Sequence, residues 1–174
     1  MGNMTFKAAN AFAEIAEGYC TWCEGLSLGP EPEVLAATWL AKLYAAALAL
    51  PGVVPEDGEH TFAVDPDRMA RAKSNLAAFN GSYYRVFFDP HPHLTDEAGL
   101  GDVGDDLFDT YKDLALGLVV LANGHPNDAI WHWQFHHRFH WGRHAVGALF
   151  ALHCFHISKL GEKPNTRLAP QASR

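Results

Sequence analysis

Ten prolines divide this chain, and their positions limit what it can fold into more than any other feature. Proline has no backbone N–H and its ring clashes with the preceding turn, so a helix interior rejects it. The prolines stand at 30, 32, 51, 55, 66, 90, 92, 126, 164 and 170. Between them lie five long Pro-free stretches in which apolar residues recur at helical spacing.

In the first stretch the stripe is Ala8, Phe12, Ile15, Tyr19, Trp22 and Leu26. Pro30-Glu31-Pro32-Glu33 suits the first turn of a second helix, where proline wastes no donor and glutamate meets the positive end of the dipole. Leu35, Trp39, Leu43, Ala46 and Leu50 form its stripe, and Pro51-Gly52 stops it. Residues 52–64 read as a polar loop. Asp65-Pro66 starts a third helix with an N-cap and a proline at the first helical position. Met69, Ala72, Leu76 and Phe79 line it, and Asn80-Gly81 ends it. A fourth runs from Asp102 to about Ala122 on Leu107, Tyr111, Leu114, Leu118 and Leu121, and Asn123-Gly124 closes it. From Pro126 the pattern predicts a single helix over 127–160, about 50 Å long at 1.5 Å per residue. It is apolar nearly all round, which points to the centre of a bundle, with Gly142 and Gly147 marking a close approach or a kink.

Residues 82–89, Ser-Tyr-Tyr-Arg-Val-Phe-Phe-Asp, have the composition of a strand. A lone strand has no partner, so a short helix or extended connector is expected, followed by a Pro/Gly-rich loop over 90–101. The polar tail from Gly161 is expected to fray. The fold class is therefore all-α. We expect a compact bundle of about five to six helices in one domain over 1–174, ordered from about 5 to 160, with a long, largely buried C-terminal helix.

Charge and cysteine content narrow the partners. A net charge of −7 with no basic run argues against nucleic acid, since duplex binding depends on displacing counterions from phosphates. Three cysteines cannot build a disulfide framework, which suits a reducing compartment. Glu14 and Glu17 break the N-terminal segment, so it lacks the apolar run of a signal peptide. Phe6 stands where a myristoylation signal has Ser or Thr. No stretch approaches the roughly 20 apolar residues that span a bilayer. A cytoplasmic protein without membrane contact is expected.

Histidine density is the most unusual feature bearing on chemistry: eight of the 11 histidines lie between 125 and 156. His137, His140 and His144 recur at i, i+3, i+7, on one helical stripe with Trp133. Imidazoles so spaced can point at one metal ion. Asp106, Asp109 and Asp113 repeat the same spacing on the preceding helix, so two antiparallel neighbours would set carboxylates against imidazoles, as bundles do around metals. The plainer reading makes the aspartates a solvated face, since they lie roughly 130° from the leucine stripe near a helix N-terminus. The histidines would then be structural, hydrogen-bonded to a carboxylate or carbonyl. Neither Glu-x-x-His nor His-Glu-x-x-His is present.

Cys20-x-x-Cys23 lies inside a helix beside the apolar stripe, without the βαβ setting of a redox motif, so both read as small buried hydrophobes. Trp131, Trp133 and Trp141 are positioned for core packing, with a ligand pocket as the alternative. No phosphate loop, nucleophile elbow or kinase signature appears.

Asp105-Asp106-Leu107-Phe108-Asp109-Thr110-Tyr111-Lys112-Asp113-Leu114 is followed by Trp131-x-Trp133 and by His140-Trp141-Gly142-x-His144-x-x-x-Ala148-Leu149. Together these segments resemble a bacterial family known only as domain of unknown function 5063, and Tyr19-Cys20, Leu43-Tyr44 and Leu50-Pro51 extend the likeness to roughly 6–156. The resemblance implies a compact helical domain and brings no activity, cofactor or catalytic residue with it.

Two functions compete on this reading. One is a non-catalytic module that binds a protein partner or small-molecule ligand. The other is a hydrolase-like protein with a divalent metal on His140 and His144 and with Asp109 or Asp113 opposite, a second carboxylate serving as base. Asp106, Arg143, His137, Tyr111, Trp133 and Trp141 are candidates for a structural polar pair or pocket beside it, with an Asp paired to Arg143, His140 or His144. A pH-responsive interaction surface is a third reading of the same imidazoles.

Overall fold

The computed structural model describes residues 2–56, 61–93 and 97–159. The tail that the sequence marks as frayed lies outside them. Six α-helices and one hairpin make up the fold among these residues: α1 (Gly2–Glu24), α2 (Pro32–Ala47), α3 (Pro66–Leu76), β1 (Tyr83–Val86), β2 (Gly99–Asp102), α4 (Val103–Ala122), α5 (Pro126–Phe139) and α6 (Trp141–Phe155). Short 3₁₀ turns follow α3 and α6. The all-α expectation is met, and no helix among the described residues is long and apolar enough to cross a membrane.

The punctuation residues act locally as their chemistry requires. Pro32, Pro66 and Pro126 each occupy a helix start. The Asp65 carboxylate accepts from the N–H groups of Asp67 and Arg68, closing the open donors of α3. Asp102 does the same for Gly104 and also accepts from the N–H of Gly81, tying the start of α4 to the turn before β1. Gly124 takes φ +87 behind α4, a left-handed conformation that glycine adopts without strain.

Three departures from the sequence reading shape the site. Residues 83–86 form a strand rather than a helix or connector, because Gly99–Asp102 supplies an antiparallel partner in the register Tyr83↔Asp102 to Val86↔Gly99. The expected long helix is two helices, broken at His140 (φ −141, ψ −92), where the backbone leaves helical space. The central helix is α4, not the C-terminal one. It packs against α1, α3, α5 and α6, and 11 of its 20 residues are buried. Phe135, Phe139, Val146 and Phe150 of the C-terminal pair are by contrast exposed.

The core centres on Phe12, Tyr19, Leu40, Leu43, Leu107, Leu114, Trp133 and Trp141. Trp133 lies across α4 and donates its indole N–H to the carbonyl of Leu114 at 3.2 Å, while Trp141 donates to the carbonyl of Trp133 at 3.1 Å. Both tryptophans are therefore core residues rather than pocket walls. Trp133 approaches so closely because Gly117 has no side chain: a Cβ there would meet the indole nitrogen at 2.0 Å. Gly117→Ala is expected to destabilise the fold by at least about 1–3 kcal/mol through overpacking. Urea denaturation monitored by tryptophan fluorescence measures it, and an unchanged midpoint would show that the indole has room to move.

Candidate metal centre

The polar seam of the bundle runs where α4 meets α5 and α6. Asp106, Asp109 and Asp113 point into it from one face of α4, in keeping with their spacing. They are not a solvated face: Asp106 and Asp113 are 5% and 8% exposed, and only Asp109 is partly open. A buried carboxylate needs donors, and here the donors are imidazoles. His144 Nδ1 stands 2.7 Å from Asp106 Oδ1, and His140 Nδ1 stands 2.7 Å from Asp113 Oδ2. Each bond fixes its ring and turns the Nε2 edge away from the carboxylate. His144 Nε2 lies 3.4 Å from Asp109 Oδ2.

The other oxygens are also engaged. Tyr84, from β1, donates its hydroxyl to Asp106 Oδ2 at 2.6 Å. Its phenol reaches inward over two glycines, and a Cβ on Gly101 or Gly147 would collide with it at 2.5 and 2.1 Å. Asp113 Oδ1 lies 3.3 Å from His136 Nδ1, and His132 Nε2–H donates to the backbone carbonyl of Asp113 at 3.0 Å. Lys112 pairs with Asp109 on the outer edge. The rings of His140 and His144 stand 4.9 Å apart, edge to face, and those of His132 and His136 stand 4.3 Å apart.

Two groups along this seam have metal-ligand geometry. Asp109, His140 and His144 each offer a ligand atom within 4.8 Å of the others, and so do Asp113, His136 and His140. A third such group, Glu56, His125 and Asp128, lies away from the seam and is partly exposed. It joins the loop after α2 to the start of α5, where the Glu56 N–H donates to Asp128.

The remaining candidates go elsewhere. His137 leaves the stripe it shares with His140 and His144 on an unbroken helix; its ring packs edge-on against Tyr44 and beside Trp141, at 4.7 and 4.8 Å between centroids. Arg143 is exposed, and the buried aspartates take imidazole partners instead. Tyr111 lies across α4 from the seam, donating to Glu24 at 2.9 Å, and Glu24 also holds Arg68 through paired hydrogen bonds. Cys20 and Cys23 are buried, and burial pushes both thiols above their usual range.

Sequence reasoning missed Tyr84, His132 and His136. A signal for the two histidines is present: 132, 136, 140 and 144 recur at intervals of four. Tyr84 had no such signal, because its place depends on a strand pairing that local composition does not disclose.

The model for the family described as Domain of unknown function (DUF5063) matches residues 3–158. This chain belongs to that family. No curated protein matches it. Its fold is similar to the crystal structure of protein BF1032 from Bacteroides fragilis, with a TM-score of 0.64 and 21% identity, covering 82% of this chain and 91% of that one. At that identity the likeness concerns the fold.

Protonation within the seam is uneven. The hydrogen bond to Asp106 holds His144 above the usual imidazole range, against the opposing effect of burial. Burial instead keeps His132 and His137 below it. A raised folded pKa means that the His144 contribution is complete below the unfolded value of 6.5 and fades as pH rises through the folded one. Asp106, Asp109 and Asp113 face this ring from α4, and His140 faces it from the junction of α5 and α6. In metal-free buffer, the stability gap between the wild type and His144→Gln is expected to be larger at pH 6 than at pH 9. Equal gaps in denaturant titrations at the two pH values would contradict the assignment. Asp106→Ala orphans both the Tyr84 hydroxyl and the His144 ring, and each orphan costs about 1–3 kcal/mol. Arg143→Ala, on the open surface, should stay within roughly 0.5 kcal/mol; thermal melts of both variants compare the two.

Proposed function

We propose that this chain is a non-catalytic binding module whose ligand is a divalent transition-metal ion held by Asp109, His140 and His144. The observation that carries the reading is the pair of buried carboxylates behind the ligands. Asp106 accepts from His144 Nδ1 and Asp113 accepts from His140 Nδ1, each at 2.7 Å. Metal-bound histidines recurrently donate their second nitrogen to a carboxylate, which fixes the tautomer and raises ligand basicity.

Distance supports the same reading. Two ligand atoms on a tetrahedral ion with bonds of about 2.0–2.2 Å lie about 3.3–3.6 Å apart. The 3.4 Å between His144 Nε2 and Asp109 Oδ2 falls on that edge and is longer than a good hydrogen bond. Two nitrogens and one oxygen leave a fourth position for water or a ligand atom. Asp106 and Asp113 are both committed to imidazole nitrogens, which suits orientation rather than the base role that hydrolysis requires.

Equilibrium dialysis of untagged protein against Zn²⁺ tests this. In a background of His125→Ala and His136→Ala, which silences the other two candidate groups, His144→Ala and Asp109→Ala should each weaken uptake at least tenfold, and Asp106→Asn by about 10–100-fold through the outer shell. Circular dichroism checks that each variant is folded. Zn²⁺ affinity unchanged in all three would leave the seam as a purely structural clamp.

A further inference from the structure

The second metal-ligand group on the seam shares His140 with the first, and one of its atoms, His136 Nδ1, is not satisfied by hydrogen bonding. Asp113, His136 and His140 place one ligand atom each within 4.8 Å of the others. His136 Nδ1 is buried and has no hydrogen-bond partner, although it faces Asp113 Oδ1 at 3.3 Å. That separation again matches the edge of a tetrahedral ion, about 3.3–3.6 Å for bonds of about 2.0–2.2 Å. A buried, unpartnered imidazole nitrogen beside a carboxylate oxygen pairs two ligand types that divalent ions take.

We propose that the seam takes a second divalent ion, held by Asp113, His136 and His140, so that the His140 ring stands between two ions. This rests on the reading that Asp109, His140 and His144 hold the first. An imidazole carries two nitrogens, and the Nδ1 of His140 already faces Asp113 at 2.7 Å, which leaves Nε2 for the first ion. With the first ion alone, Nδ1 keeps its proton and donates it to Asp113. When the second ion arrives, that proton goes to solvent, Nδ1 becomes a ligand and the ring bridges as an imidazolate. Ligands must be deprotonated to bind, so the second ion releases a proton that the first leaves in place.

The charge on the seam favours cations: Asp106, Asp109 and Asp113 bring three negative charges and the bridging imidazolate a fourth, set against the two ions and the Lys112 ammonium beside Asp109. Asp106 stays in its orienting role, fixed by Tyr84 and His144. His132 backs the second position, its ring tilted against that of His136 at 4.3 Å and hydrogen-bonded to the carbonyl of Asp113.

Ion counting separates the two readings. Untagged, metal-stripped protein carrying His125→Ala, which silences the group with Glu56 and Asp128, is dialysed against Zn²⁺ and its metal content is measured by mass spectrometry. Two ions per chain are expected in this background, one after adding His136→Ala, one after adding His144→Ala and none after adding His140→Ala, with circular dichroism confirming the fold. One ion that depends on His144 and ignores His136 overturns the second position and leaves the first standing. No ion in the background protein overturns both, and so does a single ion that ignores His144. Copper gives an independent readout: two Cu²⁺ ions across one imidazolate couple, so the paramagnetic resonance signal integrates to less than the copper bound. A full-intensity signal at two ions per chain also rules out the bridge.

Discussion

Two carboxylates buried in a helical bundle set the terms for everything around them. A charge taken out of water is tolerated only where donors replace the lost hydration, and one left without a partner is strongly destabilising. Asp106 and Asp113 sit one face apart from the apolar core of α4, and their donors come from three other elements: Tyr84 from β1, His144 from α6, and His140 at the junction of α5 and α6. These bonds fix where the hairpin lies, how α6 leans on α4 and which way the rings turn. Apolar burial alone leaves such choices loosely specified, because leucines accept many rotations of one helix on another.

Glycine does the complementary work. At 101, 117 and 147 it removes the side chain that would hold two elements apart, admitting the Tyr84 phenol and the Trp133 indole. At 142 a Cβ would meet the His137 carbonyl at 2.0 Å, just past the point where the helix breaks. Close approach and buried charge depend on each other here, since a phenol that could not lie flat over Gly147 would not reach Asp106.

Much of this was legible in the residues. Proline and cap signals placed the starts of α2, α3, α4 and α5 to within a few positions, and the matched spacing of aspartates and histidines raised the arrangement in which Asp106, Asp109 and Asp113 face His140 and His144. What stayed hidden was tertiary in origin. The aspartates read as solvated because a periodic pattern tells the apolar face from the polar one, but not whether a neighbour covers the polar one. Gly-Leu-Gly-Asp at 99–102 has little strand character, so the partner of β1 was invisible. On α2 the buried face is Ala36, Leu40, Leu43 and Ala47, one position round from the Leu35–Trp39 stripe, because alanine lets α1 and α6 come close.

The break at His140 has a consequence for when the seam exists. Between Phe135 and Ala145 there is no proline and no left-handed backbone, so neither of these interrupts the helix. Excised, the segment from Pro126 to Phe155 would be free to run as one rod, with His136 and His144 more than two turns apart along it. Their present places belong to the assembled molecule, where His136 lies beside Asp113 and His144 is held by Asp106. The seam is thus a product of tertiary assembly, and it exists in the whole domain rather than in any of its parts.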